Sequence, residues 1–217
     1  MSRTFHTHAS TVPLIAERPL LIVDADEVIL RFADGFDRFL STRDLFLDLT
    51  TYRLHGNVKR KSDSVAVLDV EVTALLDEFR ENLDWLDAVE DANDTLRGLM
   101  PLMNVVVLSN VTEAQAPARL RNFARHDLAA PLMINSGPKG AAVKALAARA
   151  ARPAFFVDDI PLHHASVAET APDVFRIHLI GDERLKPLLP LSPHAHLRAE
   201  TWREADRFIR AKLAETN

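Results

Sequence analysis

The sequence predicts an α/β protein: a Rossmann-like parallel sheet with helices on both faces, joined to a smaller, mainly helical cap domain. Three observations carry this prediction. Short apolar runs at 20–23, 105–108, 132–134 and 154–157 contain no polar residue, as expected of strands buried on both faces. Stretches with apolar residues at helical spacing separate them, and such alternation favours parallel strands with right-handed crossovers. A long block with helical patterning also intervenes between the first run and the second. The expected organisation is therefore an arm at 1–18, a core built from 19–31 and 85–217, and a mainly helical inserted block at 32–84.

In chain order, the polar, patternless arm reads as a loosely held lead-in to the first strand. After that strand, Phe32, Phe36, Phe39 and Leu40 recur at helical spacing. Residues 45–67 lack periodicity and predict loops and short pieces, with Lys59, Arg60 and Lys61 on a solvated face. Val72, Leu75, Leu76 and Phe79 predict a helix over 69–82, and Leu86, Val89, Ala92, Leu96 and Leu99 another over 85–99. The second strand follows. The next helix, reaching about His126, starts either at Thr112, with Gln115 completing a capping box, or at Pro117. The third strand leads to the turn Asn135-Ser136-Gly137-Pro138-Lys139-Gly140 and a helix over 141–151. The fourth ends in Asp158-Asp159, and Pro161 opens a helix to about Thr170. A fifth strand at 174–180 and a closing helix at 200–214 complete the chain.

With 217 residues, 47% hydrophobic and 26% charged, the chain can bury a sizeable core. A formal net charge of −5 gives no reason to expect nucleic acid or an anionic membrane as partner, since both are read through surplus Lys and Arg. The absence of cysteine excludes disulfides and thiolate metal sites, leaving carboxylates and histidines, so hard oxygen-loving cations move up the list. No apolar run is long enough to span a bilayer and no signal-type apolar region opens the chain. A cytoplasmic protein is expected.

Chemistry concentrates at the strand ends. Asp24 and Asp26 follow the first strand. Alternation along an extended backbone brings them together, unless the turn begins between them. Two close anions invite a cation, although one capping and one solvated carboxylate would also fit. Ser109 and Asn110 end the second strand, Lys139 sits in the turn after the third, and Asp158 and Asp159 end the fourth. In a parallel sheet these endings share one edge and can converge on one pocket. That inventory suits phosphoryl transfer. Carboxylates can hold Mg²⁺; Ser109, Asn110, Lys139 and backbone amides can bind phosphate oxygens; one Asp can attack phosphorus while the other moves protons. His163 and His164 occupy adjacent helical positions that face different ways, a poor ligand pair. Tyr52, Arg53, His55 and Asn57 are candidates for contacting a substrate.

The segments LLIVDADEVIL, VVVLSN, GPKG and FFVDD, in this order from Leu20 to Asp159, resemble the four motifs of the haloacid-dehalogenase-like (HAD) hydrolases. The resemblance implies that Asp24 is the nucleophile and Asp26 the general acid/base. It implies phosphoryl binding by Ser109 and Lys139, and Mg²⁺ held by the Asp24 carboxylate, the Asp26 carbonyl and Asp159, with Asp158 acting through water. A helical cap after the first motif would exclude water and select the substrate. The expected activity is a Mg²⁺-dependent phosphatase cleaving a small phosphorylated metabolite, a phosphomonoester, through an aspartyl phosphate. A phosphotransferase or mutase, a dehalogenase, and a catalytically silent binding protein are the alternatives on the same fold. The chain departs from the common Gly-Thr after the second Asp: Glu27-Val28 stands there and adds a carboxylate beside the site.

Overall fold

The computed structural model describes residues 4–215; residues 1–3 of the expected arm, and 216–217, lie outside the described residues. Seven parallel strands form the main sheet. β2 (Leu20–Val23) lies at its centre between β5 (Asn104–Ser109) and β7 (Ala154–Asp158). Beyond β5 come β6 (Leu132–Ile134) and β1 (Phe5–His6); beyond β7 come β8 (Phe175–Leu179) and β9 (Leu197–Ala199). The resulting order is β1-β6-β5-β2-β7-β8-β9.

Burial on both faces follows from alternation along each strand. Leu21, Val23, Val107, Phe155 and Val157 face one core with α3 (Ala92–Leu99), α4 (Ala116–Arg125) and α7 (Trp202–Ala214). Leu20, Ile22, Val106, Leu108 and Phe156 face a second core with α5 (Gly140–Ala147) and α6 (Pro161–Thr170). Register then positions the chemistry. Val23 is paired with both Val107 and Val157, so one residue further on Asp24 and Asp158 emerge side by side. Among the described residues no helix is long and apolar enough to cross a membrane.

Between β2 and β5 the chain forms α1 (Phe32–Ser41), an antiparallel pair β3 (Leu45–Leu47) and β4 (Val58–Arg60), and α2 (Asp69–Arg80). Phe79 of α2 packs its ring 5.2, 5.3 and 5.4 Å from those of Phe32, Phe36 and Phe39. Gly35 admits Leu86 against α1, because a Cβ there would run into the Leu86 side chain.

Several expectations are corrected. The arm is not loose from residue 5 onward: β1 pairs with β6, Val12 is buried, and Asn104 bonds both the amide and the carbonyl of Ile15. The stretch 45–67 does consist of loops and short pieces, two of which pair as β3 and β4; Arg60 and Lys61 are exposed as expected, Arg60 beside Asp63, while Lys59 is half-buried against Asp48. The helix expected over 85–99 begins only at Ala92, because Asp91 has a left-handed φ of 59° and the segment before it is extended, with Val89 donating to the Ile29 carbonyl. Strand β9, three residues with Arg198 in the middle, carries too little pattern to be read from sequence. At α4 both suggested start signals are used: Thr112 and Gln115 exchange bonds as a capping box, and Pro117 lies in the first turn.

Candidate active site

Asp24 extends β2 by one hydrogen bond, its amide donating to the Val157 carbonyl at 2.9 Å. The turn then begins. The Ala25 carbonyl accepts from the amides of Ile29 and Leu30, and Glu27 takes a left-handed φ of 57°. Asp24 and Asp26 nevertheless line one cavity of about 260 Å³, together with Asn110, Lys139, Asp159 and His163.

Lys139 is the hub of the strand edge. It is 1% exposed, and its Nζ donates to Asp24 and, at 2.8 Å, to Asp158. A cation just ahead of α5 is at the wrong end of the helix dipole; the two carboxylates compensate. Burial opposes the ammonium charge, but Asp158 and Asp24 outweigh it and hold Lys139 above its ordinary pKa. Gly140 contributes by its lack of a side chain. The Ser166 carbonyl and hydroxyl of α6 crowd the place its Cβ would take, so this glycine admits α6 and fixes the turn.

Asp158 is fully engaged, with one oxygen on Lys139 and the other accepting from the Ile160 amide at 2.8 Å. Asp159 has one buried oxygen without a partner among the described residues, and the other accepts from the Tyr52 hydroxyl. Burial raises Asp24 above the ordinary carboxylate range, with Lys139 opposing and Asp158 reinforcing. Burial raises Asp159 further, with Asp158 and Asp24 adding to it. Asp26 is pushed up by burial and pulled back by Arg119, whose Nη2 lies 2.6 Å from its carboxylate. Four carboxylates thus face two cations, Lys139 and Arg119. Asp24, Asp158 and Asp159 offer oxygens within 4.8 Å of one another. Such a buried, oxygen-only and under-neutralised cluster fits a hard divalent cation.

Two histidines set the backbone beneath the acids. His164 Nε2 meets the Asp158 carbonyl at 2.9 Å and His178 Nε2 meets the Asp159 carbonyl at 2.8 Å. Burial lowers both to about 4, so they are neutral and donate through Nε2. His163 and His164 do face different ways: His163 lines the cavity while His164 turns under the strand end.

The other expected residues fall as follows. Ser109 is 1% exposed at the end of β5, its Oγ without a partner among the described residues. Asn110 lines the cavity and ties its amide to the Gly137 carbonyl and to Asn135. Tyr52 reaches the acids, Arg53 stays exposed, and His55 bonds Thr73. Asn57 is buried and bonds Thr50, Thr51 and Arg53. It therefore braces its own loop. Glu27 does not add the expected charge. Its Oε1 accepts from the Ala33 amide at 2.6 Å, capping α1, and burial pushes its pKa up to about 8. Arg119 and His178 escaped the sequence reading. Arg119 had a signal: it lies three residues from Ala116 and four from Phe123, on the buried face of α4.

No family model and no curated protein matches the sequence. Solved structures do match, and the fold they share is that of the HAD superfamily. A HAD-superfamily hydrolase of subfamily IA from Geobacter sulfurreducens superposes with a TM-score of 0.56 at 18% identity, over 90% of this chain and 100% of that one. Bacillus subtilis YfnB, described as a HAD-hydrolase bound to magnesium, gives 0.59 at 10% identity over 89% and 99%. Rhodobacter sphaeroides CbbY, in complex with xylulose 1,5-bisphosphate, gives 0.53 at 11% over 86% and 96%. At these identities the likeness is one of fold.

Proposed function

We propose that the protein is a Mg²⁺-dependent phosphatase that cleaves small phosphomonoesters through an aspartyl phosphate on Asp24. The observation that carries this reading is the buried trio Asp24, Asp158 and Asp159, gripped by Lys139 at the strand edge. The Asp24 and Asp159 carboxylates and the Asp26 carbonyl would hold the metal. Asp158, both oxygens engaged, secures Lys139. When bound, Mg²⁺ would neutralise phosphoryl oxygens. YfnB bound to magnesium and CbbY bound to a sugar bisphosphate are in line with that chemistry on this fold.

The chain's own groups supply the rest. Asp24 attacks phosphorus, and the bond from phosphorus to the ester oxygen breaks as Asp26 protonates the leaving alcohol. Asp26 then takes a proton from water, which attacks the aspartyl phosphate and frees Asp24. Lys139, the Ser109 hydroxyl and Asn110 bind phosphoryl oxygens, while Arg119 fixes the Asp26 carboxylate. The segment 32–84 acts as the cap. The substrate is a small phosphorylated metabolite met in the cytoplasm.

The test is hydrolysis of p-nitrophenyl phosphate and a metabolite panel with Mg²⁺ or EDTA. Asp24→Asn abolishes turnover and Asp26→Asn lowers it at least ~10²-fold. Full activity in EDTA, or in Asp24→Asn, would sink the mechanism.

A further inference from the structure

A second cavity opens beside the first. It measures about 210 Å³ and shares Asp26 and Phe32 with the phosphoryl cavity. The surface it presents is mostly apolar, from Ala33 of α1, Leu49, Tyr52 and Leu54 of the loop between β3 and β4, and Leu185 after β8, with Glu27 and Arg53 completing the lining. An apolar cavity of ~150 Å³ already accepts benzene. The loop that forms its outer wall is preorganised. Asn57, 2% exposed, accepts from the Thr50 hydroxyl at 2.8 Å and donates to the carbonyls of Thr51 at 3.0 Å and Arg53 at 2.6 Å. The Tyr52 hydroxyl fastens the same loop to Asp159.

From this continuity we infer that the second cavity is the leaving-group subsite, and that the preferred substrates are phosphomonoesters of apolar alcohols, an aryl ring or a short branched chain. The inference rests on the phosphatase reading for its orientation. Asp26 must touch the ester oxygen to protonate it, so the carbon skeleton continues past Asp26, and Asp26 is a wall of the apolar cavity. The rival direction, toward Arg80 and Arg119 in the first cavity, would suit an anionic leaving group. Of these cations Arg119 is fully buried against Asp26, while Arg80 makes only a loose, exposed pair with Asp77 at 3.7 Å. Glu27 Oε2, without a partner among the described residues, could meet one hydroxyl of a polyol, but the others would lose their water against apolar walls.

Binding decides this independently of turnover. Isothermal titration of the full chain with Mg²⁺ compares benzylphosphonate, methylphosphonate and phosphonoacetate. Benzylphosphonate binds at least ~10-fold more tightly than methylphosphonate, and Leu54→Phe, which fills the cavity, removes most of that preference. Equal binding of the benzyl and methyl compounds overturns the inference, as does tighter binding of phosphonoacetate. Turnover of benzyl phosphate against ribose 5-phosphate separates the two claims. If no ester is hydrolysed while the benzyl preference in binding persists, the phosphatase reading fails and the apolar subsite stands. Hydrolysis that favours ribose 5-phosphate, with no benzyl preference in binding, leaves the phosphatase and removes the subsite.

Discussion

Asp24 and Asp26 are two residues apart, yet the two sides of the pocket they belong to are built differently. On the strand edge, Asp24, Asp158, Asp159 and Lys139 are placed by backbone register and one tight turn, and Lys139 joins Asp24 to Asp158. On the side facing the segment 32–84, Asp26, Phe32 and Tyr52 depend on partners from distant segments. Arg119 arrives from the middle of α4, and Tyr52 crosses from the loop before β4. The first arrangement is stiff and concentrates charge. The second is assembled from single contacts, each of which can be removed without disturbing the sheet.

The most damaging break in this contrast is Lys139→Ala. It leaves Asp24 and Asp158 buried without their cation, and unpairing a buried charge of this kind costs on the order of 3–5 kcal/mol. Urea unfolding should show that loss, together with loss of turnover. A drop below about 1 kcal/mol, the range of exposed pairs, would mean that the strand edge is not held by charge. Arg119→Met applies the same operation to the other side. Since the Asp26 side chain is 33% exposed, water can replace part of what Arg119 supplies, and the stability loss should be smaller than at Lys139.

Glu27 gives the side facing 32–84 a pH dependence of its own. Its pKa rises from 4.5 to about 8 on folding, chiefly through burial. Between those values the folded chain keeps a proton that the unfolded chain has released, so raising the pH favours unfolding. Stability should fall as pH climbs through that window, by up to a few kcal/mol. Glu27→Gln keeps the acceptor for the Ala33 amide and should flatten this contribution. The check is the difference in urea midpoint between pH 5 and pH 8.5 in the two proteins. Equal slopes would place the titration elsewhere.

The glycines sharpen the contrast at smaller amplitude. Gly140→Ala drives a Cβ into the Ser166 carbonyl, a backbone atom, whereas Gly35→Ala meets the end of the Leu86 side chain, which can rotate away. Overpacking that cannot relax costs ~1–3 kcal/mol. Gly140→Ala should therefore sit at the upper end and displace Lys139, lowering turnover as well. Gly35→Ala should sit at the lower end, offset by better helix propensity. Thermal melts of both variants test the ranking.

The same division explains what the sequence discloses. The runs Leu20 to Val23 and Ala154 to Val157 announce buried strands because nothing polar interrupts them, and parallel pairing then forces their acidic ends to one edge. The sheet and its strand-edge acids follow from short-range pattern alone. Strand β9 does not, since Leu197-Arg198-Ala199 is too short to show a period. Arg119 is legible only as a cation at an apolar spacing, a signal that a snorkelling surface arginine would also give. Tyr52 carries no local signal for its partner 107 residues away. Its bond to Asp159 is decided by how the loop between β3 and β4 settles on the core, a tertiary event. The acid that Glu27 adds reads as charge in the sequence, while burial makes it a neutral cap.

Tyr52→Phe is the mildest test and the one that joins the two sides. It deletes one hydroxyl whose donated bond ends on Asp159, and a bond of this kind contributes ~0.5–1.5 kcal/mol net, so the fold should survive with a small shift in urea midpoint. The functional effect should split. Relieved of the hydroxyl, Asp159 presents both oxygens to a cation, and the Mg²⁺ concentration giving half-maximal activity should fall. The loop loses its fastening to the acids, and KM for an aryl phosphate should rise more than kcat changes. Opposite movement of the two constants is the signature, because general loosening of the site would weaken metal and ester together. A Mg²⁺ requirement that rises in Tyr52→Phe would instead make the hydroxyl a positioning group for Asp159, and would transfer Tyr52 from the side facing 32–84 to the strand edge.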